Sequence, residues 1–307
     1  MGTLAGIFPM LPTPFGSNGA LGLNDLPRLI DAQISSGAHG ISLLGLGGEA
    51  GLLSMDERRM VTDHAIAGVN GQLPVIVGVS SESKTDSAAL AEHAVERGAA
   101  AVMVAPPATG IESADNLFDF FRAVANAAAG ADVMIQDAPQ YIGTDVGPAV
   151  LQRMAAELPN VKYIKTEALP GCDAITRLRQ AFENSDLHVF GGQAGINFLD
   201  ALEAGASGII PGCEATRVLV EIWNQHEVKN NKPLARDLFR SILPMLVFEM
   251  QTLDQFILCT KQALFRNGLL SSPKARVESQ LSLISKRILD RHLMNLADLE
   301  LRICGLG

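Results

Sequence analysis

Residues 161–167 read VKYIKTE, which sets Lys165 near the end of a segment that otherwise reads as a buried strand. A buried ammonium without a partner is costly and tends to shed its proton. Lys165 therefore either lays its apolar stem along the surface and reaches water, or it puts a lowered basicity to use. A partly dried amine can attack a ketone and form a Schiff base. The iminium carbon then draws electrons from the neighbouring C3, which eases loss of a proton, a carbon fragment or a β-hydroxyl. Lys162 has the opposite strand parity and is the internal control, expected to face the other way.

Glycine turns supply the second group of candidates. LLGLGGEAG (43–51) carries Gly45, Gly47 and Gly48, and such a turn can converge backbone N–H groups on a carboxylate without a charged side chain. FGGQAG (190–195) is a similar turn that adds Gln193, and IIPGCEA (209–215) is a third. A plain glycine-rich turn accounts for the first as readily. Turns of this kind also suit a phosphate, but no Arg or Lys accompanies the last two, which favours a substrate without phosphate.

These candidates need a scaffold that brings their ends together. Eight short, near-continuous apolar runs recur at 7–15, 40–46, 74–80, 100–107, 132–139, 161–166, 187–192 and 205–212, the pattern of strands covered on both faces. Helical spacing lies between them at 23–37, 54–69, 85–99 and 114–130, with Ser54 a candidate N-cap ahead of Asp56 and Glu57. Eight strands alternating with helices predict an α/β fold, a (β/α)₈ TIM barrel over residues 1–217. Residues 218–307 are expected to form a C-terminal helical extension of the same structural unit, with helices over 218–228, 233–269 and 275–296 punctuated by Pro244 and Gly268. In such a barrel the chemistry gathers at the C-terminal ends of the strands, where Lys165 lies.

Composition narrows the class. Of 307 residues, 48% are hydrophobic and 19% charged, which suits a globular chain with a large core. The net charge of −9 without a basic run argues against a nucleic-acid partner. The four cysteines form no CxxC pair and the six histidines no HExxH, so neither a disulfide framework nor a metal site is expected. No signal peptide and no apolar run of about 20 residues is evident, which leads to the expectation of a cytoplasmic protein without a membrane partner.

The order of GLGGE (45–49), QDAP (136–139), YIKTE (163–167), GGQAG (191–195) and GASGIIPG (205–212) resembles the dihydrodipicolinate synthase/N-acetylneuraminate lyase family of class I aldolases. The likeness runs from LPTPF (11–15) to KQALFRNGL (261–269). It implies a barrel with a helical tail, a homotetramer, Lys165 as the Schiff-base lysine, and the turn Gly47, Gly48 and Glu49 as the seat of a 2-oxo acid carboxylate. No cofactor is implied beyond the covalent lysine iminium. Gly192, Gln193 and Thr13 are the further candidates for holding substrate.

The departures bear on the substrate. Gln136 stands where many members carry a proton-relaying tyrosine, and an amide donates and accepts hydrogen bonds but is no acid or base. Tyr141 stands where the synthase has an arginine for its second substrate. Leu46 and Gly47 replace a pair of threonines, and Pro107 and Ala108 replace paired tyrosines. The branch that acts on 2-keto-3-deoxy sugar acids, by dehydration or retro-aldol cleavage, is the one these patterns resemble. Proton transfer is then expected through a water held by Gln136 and Gln193, with Glu49 or Glu167 nearby; Glu167 could equally be a cap or a surface partner. The alternatives are pyruvate condensation of the synthase type and a non-catalytic small-molecule-binding or regulatory protein on the same fold.

Overall fold

The computed structural model describes residues 2–110 and 113–305. Among them one parallel sheet holds nine strands, β1 (Gly6–Ile7), β2 (Met10–Leu11), β3 (Ile41–Leu43), β4 (Val75–Gly78), β5 (Ala101–Val104), β6 (Asp132–Asp137), β7 (Val161–Thr166), β8 (His188–Gly191) and β9 (Gly208–Ile209). Their order is β1-β9-β8-β7-β6-β5-β4-β3-β2, and helices separate most of them, which makes the fold α/β. The expected first strand, 7–15, arrives as two two-residue pieces. Pro9 has no N–H to give a ladder, while Phe8 N and Met10 N donate to Ile209 O and Pro211 O and Pro9 O accepts from Ser42 N.

Side-chain alternation sorts the strands into two faces. Phe8, Met10, Ile76, Ala101, Met103, Met134, Tyr163 and Phe190 pack into one cluster on the inner face of the curled sheet. The other face carries Val77, Val102, Ile135, Ile164 and Val189 against the surrounding helices. Ser54 does cap the helix Met55–Val69, with Glu57 completing a reciprocal pair of bonds to the Ser54 backbone.

The region after residue 217 is helical but not where periodicity puts its breaks. Pro244 lies inside the helix Lys232–Glu249 instead of ending it. Pro244 and Arg240, whose carbonyl the missing N–H leaves free, are both exposed, so water can serve that carbonyl. The break falls at 250–252, where the chain turns by 118° into the helix Leu253–Arg266. The last helix begins at Leu283 rather than 275. Arg276 N and Val277 N instead donate to the Glu49 carboxylate, at 2.6 and 3.2 Å, and the Arg276 guanidinium clasps Glu57. Leu238, Ile242, Leu246 and Leu296 share a core with Ile7 and Ile209, so the tail packs directly on the sheet. Among the described residues no single helix is long and apolar enough to cross a membrane.

Candidate active site

Lys165 and Gln136 are register partners on β7 and β6. Each stands two residues beyond an inner-face side chain, Tyr163 and Met134, so both continue the inner rows to the C-terminal ends of their strands. Lys165 is 5% exposed and Gln136 1%. Lys162, of opposite parity, pairs with Asp186 at 2.8 Å away from this site.

The Lys165 amine is not solitary. Its Nζ lies 2.6 Å from Glu167 Oε1, between side chains that are each 6% exposed. Glu167 follows the strand end by one residue, where its N–H still donates to Asp137 O at 2.8 Å, and it therefore turns to the same side as Lys165. The reading of Glu167 as a surface partner is corrected by this burial. Pair and cavity coincide: Lys165, Glu167, Leu46, Gly47, Tyr141 and Gln193 surround a space of about 30 Å³, room for a water or two.

The turn after β3 forms a short 3₁₀ segment, Leu46–Gly48. Its glycines are there for space rather than for backbone sign: a Cβ on Gly45 would lie 2.5 Å from Met10 Cε, and one on Gly47 2.7 Å from Phe256 Cε1. The left-handed positions fall on Leu44 and Glu49, each at φ 57°, a strain of the kind that collects at functional turns. Gly48 N and Glu49 N are taken by Gly45 O and Leu46 O. The N–H groups of Leu46 and Gly47 open the turn, where a helical segment has no internal acceptor, and both residues border the Lys165 cavity. Thr13 does not face the cavity; its hydroxyl donates to Gly48 O at 2.6 Å and fixes the turn from behind.

Glu49 requires a correction. Its carboxylate is wholly buried in an ion pair with Lys261 and accepts the two N–H groups of 276 and 277. It clamps the tail to the turn and has no oxygen left for substrate or for proton transfer. Burial holds the Lys261 amine down to about 8 despite Glu49 beside it.

Gly192 and Gln193 serve Glu167. A Cβ on Gly192 would stand 2.7 Å from Glu167 Cδ and nearer still to Cγ and Oε1, so only glycine leaves the carboxylate its place. Gln193, at φ 52°, donates from Nε2 to Glu167 O at 3.3 Å and accepts from Asn197 at 3.1 Å. Gln140 donates to the same carbonyl at 2.5 Å. Gln193 borders the cavity but is already held by protein, whereas Gln136 Nε2 is buried with no partner among the described residues. Tyr141, which the resemblance sets in the place of the synthase's arginine, borders the cavity; burial, and then the Glu167 charge, raise its phenol above the ordinary value.

Residues 3–277 match the Dihydrodipicolinate synthetase family. The chain belongs to that family. Its members that match are lyases, and this chain is an enzyme of that class. It is 33% identical to L-2-keto-3-deoxyarabonate dehydratase of Azospirillum brasilense over 280 residues, 88% of this chain and 87% of the relative. It is 32% identical to 4-hydroxy-tetrahydrodipicolinate synthase of Bacillus subtilis over 198 residues, 64% of this chain and 67% of the relative. Among solved structures, dihydrodipicolinate synthase from Rhodopseudomonas palustris superposes with a TM-score of 0.87 at 28% identity, covering 95% of this chain and 97% of that one.

Proposed function

We propose that this family member is a Schiff-base lyase that dehydrates a 2-keto-3-deoxy sugar acid on Lys165. The observation that carries the reading is the placement of a buried amine, a carboxylate 2.6 Å from it and an unpartnered amide in register on the next strand. The named likeness to a 2-keto-3-deoxy sugar acid dehydratase over 88% of the chain supports the substrate class.

The steps follow from the geometry. Glu167 takes a proton from the Lys165 ammonium, and the freed amine adds to C2 of the ketone. The same carboxyl returns the proton to the carbinolamine hydroxyl, which leaves as water and yields the iminium. The iminium makes a C3 proton acidic; the Glu167 carboxylate takes it, and the enamine expels the C4 hydroxyl, which leaves as a second water with the proton that Glu167 returns. Water then adds to C2 of the unsaturated iminium and the C–N bond breaks, which frees the Lys165 amine and an unsaturated 2-oxo acid whose enol tautomer gives the semialdehyde. The substrate carboxylate sits against the N–H groups of Leu46 and Gly47. Gln136, which cannot exchange protons itself, holds the water or the departing hydroxyl. Retro-aldol cleavage would pass through the same iminium. No cofactor enters these steps.

The same reading takes the sheet as a closed eight-stranded barrel, β1 and β2 being one strand broken at Pro9. In support, Gly6 and Ile7 pair with β9 while Met10 and Leu11 pair with β3. Synthase-type condensation retains the support of the Bacillus subtilis relative, but it calls for a grip on a second carboxylate, and Tyr141 rather than a cation occupies that side of the cavity. A panel of 2-oxo acids followed in parallel for semialdehyde formation and pyruvate release separates these outcomes. Semialdehyde from a 3-deoxy sugar acid is expected; pyruvate release from the whole panel with no semialdehyde would overturn the dehydratase reading.

A further inference from the structure

The 30 Å³ beside Lys165 cannot hold a sugar acid, and the walls indicate where the rest of one would lie. A chamber of about 550 Å³ shares Leu46 and Leu253 with the Lys165 cavity, and Gln136 borders it. Two residues of its wall carry a buried donor with no acceptor among the described residues. One donor is Gln136 Nε2; the other is Arg58 Nε, on a side chain that leaves its residue only 7% exposed. Arg58 projects from the helix Met55–Val69 and is steadied by one bond, from Nη1 to Ser80 O at 2.6 Å. Burial lowers its pKa from the ordinary arginine value. A buried donor left unpaired is costly, and two of them around one chamber mark it as built for acceptor oxygens.

The charges around the chamber say which oxygens. Glu49, Glu82 and Asp254 also border it, and each already has protein partners: Lys261 for Glu49, the N–H groups of Ala108 and Thr109 for Glu82, and the Ser279 hydroxyl for Asp254. With Glu49 neutralised by Lys261, two carboxylates against one guanidinium make the wall a poor host for a second carboxylate or a phosphate. A hydroxyl meets both requirements, since it accepts from Arg58 or Gln136 and can donate to a carboxylate oxygen.

Resting on the Schiff-base reading above, we propose that this chamber receives the hydroxylated end of the substrate and that Arg58 is a specificity residue, its guanidinium donating to a distal hydroxyl. The enzyme then selects a neutral polyol tail over a second acidic group, and the chamber leaves room for tails longer than the smallest 3-deoxy sugar acid.

The test uses the full chain with Arg58→Lys and Arg58→Met. Lysine can still reach Ser80 O but lacks the further donors of the guanidinium, so it separates loss of the substrate contact from loss of the anchor. Two readouts are taken: kcat/KM on a 3-deoxy sugar acid, and borohydride-trapped pyruvate on Lys165, which does not use the chamber. The expected result is a fall in kcat/KM on the order of 10- to 100-fold in both variants, the range of a charge-assisted hydrogen bond, with pyruvate trapping within about twofold of wild type. Unchanged kcat/KM overturns the proposal, and so does an equal fall in both readouts, which would mean that Arg58 only supports the fold. Should neither variant fold, the wild type decides: five-carbon 2-oxo acids with and without distal hydroxyls are compared for the rate of adduct formation. Faster adduct formation with the hydroxylated acid is expected, and equal rates overturn the proposal. Failure of wild type to trap pyruvate at all would fell the Schiff-base reading itself, and the inference with it.

Discussion

Gly192→Ala is a small change with a large predicted effect, because the space it fills belongs to Glu167. A methyl at this position would sit 2.7 Å from Glu167 Cδ and closer to Cγ and Oε1, whereas ordinary contact begins near 3.4 Å. The backbone at Gly192 has φ −114°, so the conflict is with the neighbouring side chain. To relieve it Glu167 must move by roughly 1 Å, and a displacement of that size at reacting groups costs on the order of 10²-fold in rate. The carboxylate would leave its 2.6 Å contact with Lys165. Stability falls by less than the ~3–5 kcal/mol typical of deleting one partner of a buried pair, since both charges remain. The assay is the rate at which pyruvate is trapped on Lys165, read by intact mass beside a thermal melt. A rate within about twofold of wild type, in a protein that melts normally, would show that Glu167 does not hold the amine's proton and would refute the mechanism.

Other predictions address separate parts of the molecule. Gln136→Leu removes the unpartnered donor without changing the strand; turnover should fall about tenfold or more with trapping of pyruvate retained, and equal turnover would retire the water-holding role. Glu214 and Glu249 are buried carboxyls with no cationic partner among the described residues, and burial raises both pKa values, that of Glu249 well above the carboxylate range with the Glu214 charge adding to the effect. The folded chain then binds more protons than the unfolded one, so this pair costs stability increasingly as pH rises above the unfolded value of 4.5. Glu249→Gln should therefore melt higher than wild type at pH 8 and by a smaller margin at pH 5; a lower melting point at pH 8 would contradict the reasoning. Arg276 holds the Glu57 carboxyl down to about 2, chiefly through their hydrogen bonds. That stabilisation is present above the unfolded value of 4.5 and is lost as pH falls towards 2. The urea midpoints of wild type and Arg276→Gln should accordingly converge over that window, and a constant gap would refute the assignment.

Much of this arrangement was legible in the chain because it depends on local periodicity. The apolar runs located every strand, and strand parity alone separated Lys165 from Lys162. The glycine turns at 45–48 and 191–195 were visible as turns, although Gly45, Gly47 and Gly192 make room for Met10, Phe256 and Glu167, and Gly195 is the one glycine of the two turns at positive φ. What periodicity cannot show is pairing between distant segments. Glu49 reads as part of a carboxylate-binding turn, yet its partner Lys261 lies 212 residues away. Residues 275–282 have helical spacing, but the bonds from Arg276 N and Val277 N to Glu49 hold the chain out of a helix there. Glu167 carried no sequence signal that distinguished a surface cap from a buried partner, because that depends on the tertiary cover over the strand end. Arg58 was hidden in the polar face of a helix for the same reason.

The most direct test of the central claim is borohydride reduction of the wild-type protein with pyruvate, followed by peptide mass mapping. One added carboxyethyl group, the reduced pyruvate imine, is expected on Lys165, absent from Lys165→Ala and absent from Lys162 and Lys261. A protein that stays unmodified across several 2-oxo acids, or carries its adduct on another lysine, would contradict that claim.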